Sequence, residues 1–89
     1  MSEKLRVGIL GGTGMVGQRF IALLENHPWF EVTTIAASPR SEGLTYEEAV
    51  AGRWKMDTPI PEAVKGIRIM NVNEVEKVAS TVDFVFSAV

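Results

Sequence analysis

Three glycines near the amino end of the sequence have a spacing that lets a ligand approach the backbone. The segment Gly12-Thr13-Gly14-Met15-Val16-Gly17 fits the pattern G-x-G-x-x-G. One glycine makes a tight turn, another allows close approach to the backbone, and Gly17 lets the following helix pack closely. Free N–H groups and the helix dipole would then face a negative group, typically a diphosphate. Thr13 adds a hydroxyl that suits a helix cap or a phosphate contact.

The residues on either side of the glycines predict the elements that would position them. Leu5–Leu10 is mostly apolar and stops at Gly11, which is typical of a strand buried in a parallel sheet. A helix is predicted over 15–26, ended by His27-Pro28. Its expected buried stripe consists of Val16, Phe20, Leu23 and Leu24. A strand, a glycine loop and a helix in this order are the context that a dinucleotide-binding motif requires.

Strands and helices alternate along the rest of the sequence. We predict a strand over 30–37, a short helix over 45–50 with Thr45 and Glu48 as a capping box, an irregular loop over 52–61, a strand over 67–70, a helix over 74–79 capped by Asn73, and a strand over 82–86. The alternation indicates an α/β fold with right-handed crossovers. The specific expectation is a Rossmann-type parallel sheet, truncated after the fourth strand, in which the fourth strand lies beside the first.

The end of the second strand distinguishes between two nicotinamide cofactors. An NAD site places a carboxylate about 20 residues beyond the glycines, where it binds the ribose hydroxyls. Here the segment is Ala36-Ala37-Ser38-Pro39-Arg40-Ser41, which has no carboxylate. The Arg40 guanidinium suits a 2′-phosphate, and Ser38 and Ser41 add hydroxyls. We therefore predict NADP. Ser87 and Ala88 would emerge beside the first strand, near the nicotinamide half of the cofactor, where small residues leave room.

The motifs and the composition of the sequence argue against several other classes of protein. A phosphate loop of the NTPase type requires Lys and Ser/Thr where Gln18 and Arg19 stand. The net charge of −2 argues against a nucleic-acid partner. Apolar runs are too short for a membrane span and no secretory signal opens the sequence, so we expect a cytoplasmic location without a membrane partner. With no cysteine and no cluster of metal ligands, neither a thiol nucleophile nor a metal site is expected. His27 receives no catalytic role.

Several segments together resemble one family of enzymes. They are Gly8–Gly17, Ser38–Gly43, Tyr46 with Ala49-Val50, Pro59-Ile60-Pro61 and Phe84–Ala88. In combination they resemble the amino-terminal part of aspartate-semialdehyde dehydrogenase, and most closely its archaeal and fungal branch. Gly12 stands where that family commonly has Ala, a departure that leaves the phosphate turn intact.

The resemblance implies a function and a set of cofactor contacts. It implies NADP-dependent interconversion of L-aspartyl 4-phosphate and L-aspartate 4-semialdehyde, a step toward lysine, threonine, methionine and isoleucine. It places the diphosphate at the glycine loop, the 2′-phosphate and its ribose at the turn after the second strand, and the nicotinamide at the end of the fourth strand. The residues implied are Gly11, Thr13, Gly14, Met15, Val16, Ser38, Arg40, Ser41, Ser87 and Ala88, and the glycine motif adds Gly12.

The catalytic cysteine, the acid/base histidine and the substrate-binding arginine of that family fall outside the region that resembles this chain. Residues 1–89 are thus expected to be the amino-terminal part of an NADP-binding domain, inactive alone, without the catalytic and dimerisation domain. We expect a homo-oligomer in the intact enzyme and self-association of this chain through its last strand. Three alternatives remain open: an N-acetyl-glutamyl-phosphate reductase, an NADP-sensing protein without catalysis, and a half-domain with only a structural role.

Overall fold

Strands and helices alternate along the chain in the computed structural model, which describes residues 4–25 and 27–88. The elements are β1 Leu5–Leu10, α1 Met15–Leu23, β2 Phe30–Ala37, a 3-10 turn Pro39–Ser41, α2 Tyr46–Ala49, α3 Glu62–Lys65, β3 Met70–Asn71, α4 Val75–Ala79 and β4 Phe84–Ser87. The four strands form one parallel sheet in the order β3-β2-β1-β4. The predicted α/β class is confirmed, and so is the position of the fourth strand beside the first.

Both faces of the sheet are covered by helices. On one face a buried cluster joins residues of β1 and β2 to Ile21 of α1, Tyr46 of α2 and Val64 of α3. On the other face, Leu10 and Ala36 pack with Val78 of α4. The last four residues of β1 are therefore buried, which explains why this strand is apolar without alternation. The sheet holds β1 firmly in its centre, and the glycine loop begins where β1 ends.

Helix α1 differs from its predicted length and orientation. It ends at Leu23 rather than at residue 26, and Asn26 itself lies outside the described residues. The buried face consists of Gly17, Gln18 and Ile21, whereas Val16 and Leu23 are more than half exposed. The predicted apolar stripe was therefore wrong at those two positions, although Phe20 and Leu24 do pack against the core. Close contact at Gly17 turns the helix so that Gln18 faces inward.

The second half of the chain required further corrections. β3 covers Met70–Asn71 and not 67–70, because Arg68 instead forms an antiparallel bridge with Thr45. Helix α3 was not predicted. β4 begins at Phe84, two residues later than expected.

The two predicted helix caps had different outcomes. Asn73 does not cap α4, which has Glu74 at its N-cap and no side-chain cap; the Asn73 N–H donates to the Asn71 side chain. The capping box of α2 is confirmed, since Glu48 N–H donates to Thr45 Oγ1 and Thr45 N–H donates to Glu48 Oε1.

Candidate functional site

Three segments meet where the parallel strands end, at what we call the carboxyl edge of the sheet. Leu10, the last residue of β1, is in register with Ala36 of β2 and with Ser87 of β4. The Ala88 N–H donates to the Leu10 carbonyl at 2.8 Å, which continues the ladder by one residue. The site residues predicted from the sequence lie at this edge, in the loop and the 3-10 turn that follow it, or at the start of α1. They are Gly11, Gly12, Thr13, Gly14, Met15, Val16, Ser38, Arg40, Ser41, Ser87 and Ala88.

The glycine loop, residues 11–14, is tied to β2 by its first two amides. Gly11 has a φ of 79°, a left-handed conformation that favours glycine. The Gly11 and Gly12 N–H groups both donate to the Ala36 carbonyl, at 2.8 and 3.1 Å. The Gly14 N–H donates to the Gly11 carbonyl at 3.3 Å and closes the turn. These bonds set the position of the loop relative to the strand ends.

Close packing of α1 on this loop depends on Gly17. A Cβ built at Gly17 would lie 2.6 Å from Gly12 Cα and would overlap the Gly11 carbonyl. Gly14 is different, because a Cβ there would have its nearest neighbour, the Gly11 oxygen, at 3.7 Å. The third glycine of the motif is therefore sterically required, and the second leaves open space above the loop.

Two buried side chains hold the carbonyl groups of the loop. The Tyr46 hydroxyl donates to the Gly12 carbonyl at 2.8 Å, and the Gln18 side-chain amide donates to the Thr13 carbonyl at 2.9 Å. Tyr46 is fully buried and Gln18 is 1% exposed. Burial raises the pKa of the Tyr46 phenol above its usual range, so the hydroxyl remains a donor. Gln18 also donates to the Arg53 carbonyl and accepts from the Lys55 N–H, which joins the loop to residues 53–55.

Three backbone N–H groups in the loop and at the start of α1 differ from these bonded carbonyls. Among the residues that the structure describes, the N–H groups of Thr13, Met15 and Val16 have no hydrogen-bond acceptor. Helix α1 has no acidic residue in its first turn. Unpaired N–H groups at the start of a helix attract anions, and their pairing is normally supplied by solvent or a ligand. With two of its carbonyls bonded to buried side chains and these three N–H groups left open, the region suits a phosphate group.

The turn after β2 presents side chains instead of backbone. Ser38 precedes the 3-10 turn, whose Ser41 N–H donates to the Ser38 carbonyl at 2.9 Å. Arg40 is exposed at the middle of the turn, and within residues 4–25 and 27–88 its guanidinium makes no ion pair. Glu42, the next carboxylate along the chain, accepts from the Asn71 side chain at 3.5 Å. Ser38 is exposed like Arg40, whereas Ser41 is buried, with 7% of its surface exposed. An uncommitted guanidinium beside an exposed serine suits a phosphate monoester.

Two side chains that support the loop were not predicted from the sequence. Gln18 was considered only as a failed match to an NTPase loop, and Tyr46 only as part of the family resemblance. Both side chains form hydrogen bonds to residues far away in the sequence. Tyr46 and Gly12 are 34 residues apart, and Gln18 and Arg53 are 35 residues apart. A polar residue directly after Gly17, on the helix face that must pack closely, was the one available signal for Gln18.

Other features of the described residues lie away from this edge. His27 Nδ1 accepts a hydrogen bond from the Trp29 N–H just before β2 begins, at the opposite end of the sheet. A cavity of about 590 Å³ lies between α1, the first half of β2 and α3, and its lining includes Phe30, Val32 and Ile67. Over the described residues, we find no group of three potential metal ligands and no helix suited to crossing a membrane.

A parallel sheet in the order 3-2-1-4, with a glycine loop that leads into α1, defines a nucleotide-binding α/β domain of the Rossmann type. Comparison with protein families identifies the branch of that class. Residues 6–89 match the family described as semialdehyde dehydrogenase, NAD binding domain. The chain belongs to this family.

Individual relatives agree with the family. An aspartate-semialdehyde dehydrogenase of Methanothermobacter thermautotrophicus is 45% identical over 94% of this chain, and one of Saccharomyces cerevisiae is 49% identical over 75%. A crystal structure of the Candida albicans aspartate-semialdehyde dehydrogenase with NADP superposes with a TM-score of 0.86 at 39% identity, covering 98% of this chain. The chain spans only 23%, 18% and 24% of these three proteins, respectively.

Proposed function

We propose that this chain is the NADP-binding portion of an oxidoreductase that interconverts L-aspartyl 4-phosphate and L-aspartate 4-semialdehyde. One observation carries the proposal: the glycine loop, with its open amides, and the exposed Arg40 turn lie side by side at the carboxyl edge. The solved relative with NADP has the same fold over this region. The curated relatives described above are named aspartate-semialdehyde dehydrogenase, which favours this reaction over that of N-acetyl-glutamyl-phosphate reductase.

The residues at the carboxyl edge fit the three parts of NADP. The N–H groups of Thr13, Met15 and Val16 would bind the diphosphate, with Gly11, Gly12 and Gly14 supplying the close approach. Ser38, Arg40 and Ser41 would bind the 2′-phosphate and its ribose. Ser87 and Ala88 would lie beside the nicotinamide, where their small side chains leave room.

In this proposal, the residues of this chain supply only the cofactor-binding part of the reaction. NADP supplies hydride transfer when it is bound, and the residues of this chain bind and orient it. The chain contains no cysteine, so the thiol nucleophile that the resemblance calls for does not belong to these residues. We assign no catalytic residue here, and we expect the chain alone to lack dehydrogenase activity.

The wider setting follows from the same proposal. The reaction serves the synthesis of lysine, threonine and methionine, and we place it in the cytoplasm. We also propose that the chain self-associates through β4, an edge strand on which Phe84 is 49% and Val85 37% exposed. Sedimentation at increasing concentration tests this: a species heavier than 9.8 kDa is expected, and a strictly monomeric one contradicts it.

Titration of the chain with NADPH, with NADH as the control, tests the cofactor assignment. Binding of NADPH with clear preference over NADH is expected, measured by nicotinamide fluorescence or calorimetry. Binding of neither cofactor contradicts the proposal that this region is a preorganised site. Equal binding of both would retain a dinucleotide site but refute the role of the turn after β2.

A further inference from the structure

The peptide that joins Gly12 to Thr13 has its carbonyl in the core of the domain. That carbonyl accepts the Tyr46 hydroxyl at 2.8 Å, and Tyr46 is fully buried. The described chain contains no cis peptide bond, so the Thr13 N–H points to the opposite side of this peptide, away from the core. Thr13 is half-buried at the surface and its N–H has no acceptor among the described residues.

We propose that Tyr46 is a positioning residue for the diphosphate of NADP: its hydroxyl holds the Gly12–Thr13 peptide in the orientation that presents the Thr13 N–H to the phosphates. The proposal rests on the NADP site proposed above and deepens it. Tyr46 itself does not contact the cofactor, because its side chain lies beneath the loop.

Within the described residues, the Tyr46 hydroxyl makes the one hydrogen bond to the Gly12–Thr13 peptide. Gly12 lacks a side chain that would limit rotation of its ψ angle, and glycine populates many backbone conformations. The neighbouring peptides have their own bonds: the Gly12 N–H is bound to Ala36, and the Thr13 carbonyl to Gln18. The Tyr46 hydroxyl is the donor at the one carbonyl between them, so its loss would free the peptide that carries the Thr13 N–H.

The hydroxyl is also placed by contacts that Tyr46 makes outside the loop. The Tyr46 N–H donates to the Ile67 carbonyl at 2.8 Å, and the ring packs edge-on against Trp54 at 6.3 Å between centroids. Thr45 and Glu48 cap the helix in which Tyr46 is the first residue. Phenylalanine at position 46 would keep the ring packing and remove only the hydrogen bond, which makes it a suitable test.

The experiment compares two ligands on the full chain and on its Tyr46→Phe variant. NADP⁺ contains the diphosphate, whereas adenosine 2′-monophosphate contains only the nucleoside and the 2′-phosphate. We expect Tyr46→Phe to weaken NADP⁺ binding about tenfold and to leave the binding of adenosine 2′-monophosphate unchanged. Arg40→Ala is the matched control with a different pattern, because it should weaken both ligands. Amide NMR titration measures the two affinities.

A purely structural role for Tyr46 gives a different result. Partial unfolding would lower the affinities for both ligands by the same factor, and that outcome overturns the inference, as does unchanged NADP⁺ binding.

A second measurement needs no variant: in the parent chain, the Thr13 amide resonance should shift with NADP⁺ and not with adenosine 2′-monophosphate. If it shifts with neither while NADP⁺ binds elsewhere on the chain, the inference fails and the proposed cofactor survives. Absence of NADP⁺ binding by the parent chain contradicts the preorganised cofactor site proposed above, on which the inference rests.

Discussion

The loop after β1 and the turn after β2 lie next to each other at the carboxyl edge, yet they are built in different ways. The first has its carbonyls bonded to Tyr46 and Gln18, both buried, and its helix packs onto backbone at Gly17. The second exposes Arg40 on a three-residue turn that is held by its own backbone. One segment is continuous with the core, and the other is attached to its surface.

This difference separates two kinds of recognition. A diphosphate bound through backbone amides requires those amides to be fixed in place, so the first loop depends on distant buried residues. A 2′-phosphate bound through a guanidinium requires charge and reach, which one exposed side chain supplies. Changes at the close contact between the first loop and α1 should therefore alter folding and binding together, whereas changes to the second should alter only the choice of cofactor.

The largest effect is expected at Gly17. Gly17→Ala places a methyl group against Gly12 Cα at 2.6 Å and against the Gly11 carbonyl, so the helix and the loop must separate. We expect a loss of about 3 kcal/mol in the free energy of unfolding, because overpacking against backbone is poorly relieved. Urea unfolding followed by circular dichroism measures it, and NADPH binding should be lost as well.

Gly14→Ala is the matched control on the same motif. Its Cβ would meet nothing closer than 3.7 Å, and its φ of −80° is normal for alanine. The free energy of unfolding should change little. If Gly14→Ala and Gly17→Ala destabilise the chain equally, the distinction between a sterically closed and an open glycine is wrong.

A smaller and more selective effect is expected at Arg40. Arg40→Ala should weaken NADPH binding by about tenfold to a hundredfold, the range for a lost charge-assisted hydrogen bond. NADH binding and the urea midpoint should not change, because the side chain is exposed and makes no ion pair within the described residues. Lys77→Ala, which removes one positive charge from α4, is the control for a general charge effect. Equal losses for NADPH and NADH would contradict the role of Arg40.

The sequence predicted what depends on neighbouring residues. The glycine spacing, the apolar β1 and the capping box of α2 are local patterns, and the structure has each of them. The place of the fourth strand beside the first followed from the strand order of doubly wound sheets. Because parallel strands end at the same edge of a sheet, the predicted strand ends also indicated that the segments after β1, β2 and β4 would lie together at the carboxyl edge.

Contacts between distant segments were beyond such patterns. The pairing of Arg68 with Thr45 displaced the start of β3, and no periodicity signals an isolated bridge. Burial of Gln18 followed from the orientation of α1, which is set by a backbone contact at Gly17 rather than by hydrophobicity. The hydrophobic pattern of α1 does not predict a buried Gln18, because the three hydrogen bonds that satisfy its side chain are made with other segments of the fold.

The smallest effect concerns the helix that carries Tyr46 beneath the first loop, and it appears only in acid. Hydrogen bonds from the Thr45 N–H and hydroxyl hold the pKa of Glu48 below its usual 4.5. A carboxyl whose pKa is lowered by folding stabilises the fold above its unfolded pKa, and this contribution is lost as the pH falls through the folded value.

The parent chain should therefore lose stability below about pH 4.5, and part of that loss should be absent in Glu48→Gln, whose amide oxygen still accepts from Thr45. Glu47→Gln, on the same helix but 3.9 Å from Lys65 Nζ, is the control. Melting temperatures of the three chains between pH 7 and pH 3 measure the difference. Parallel profiles for the parent and Glu48→Gln would mean that the capping carboxylate does not stabilise the fold, and support for Tyr46 would then rest on its packing and on the bond to Ile67.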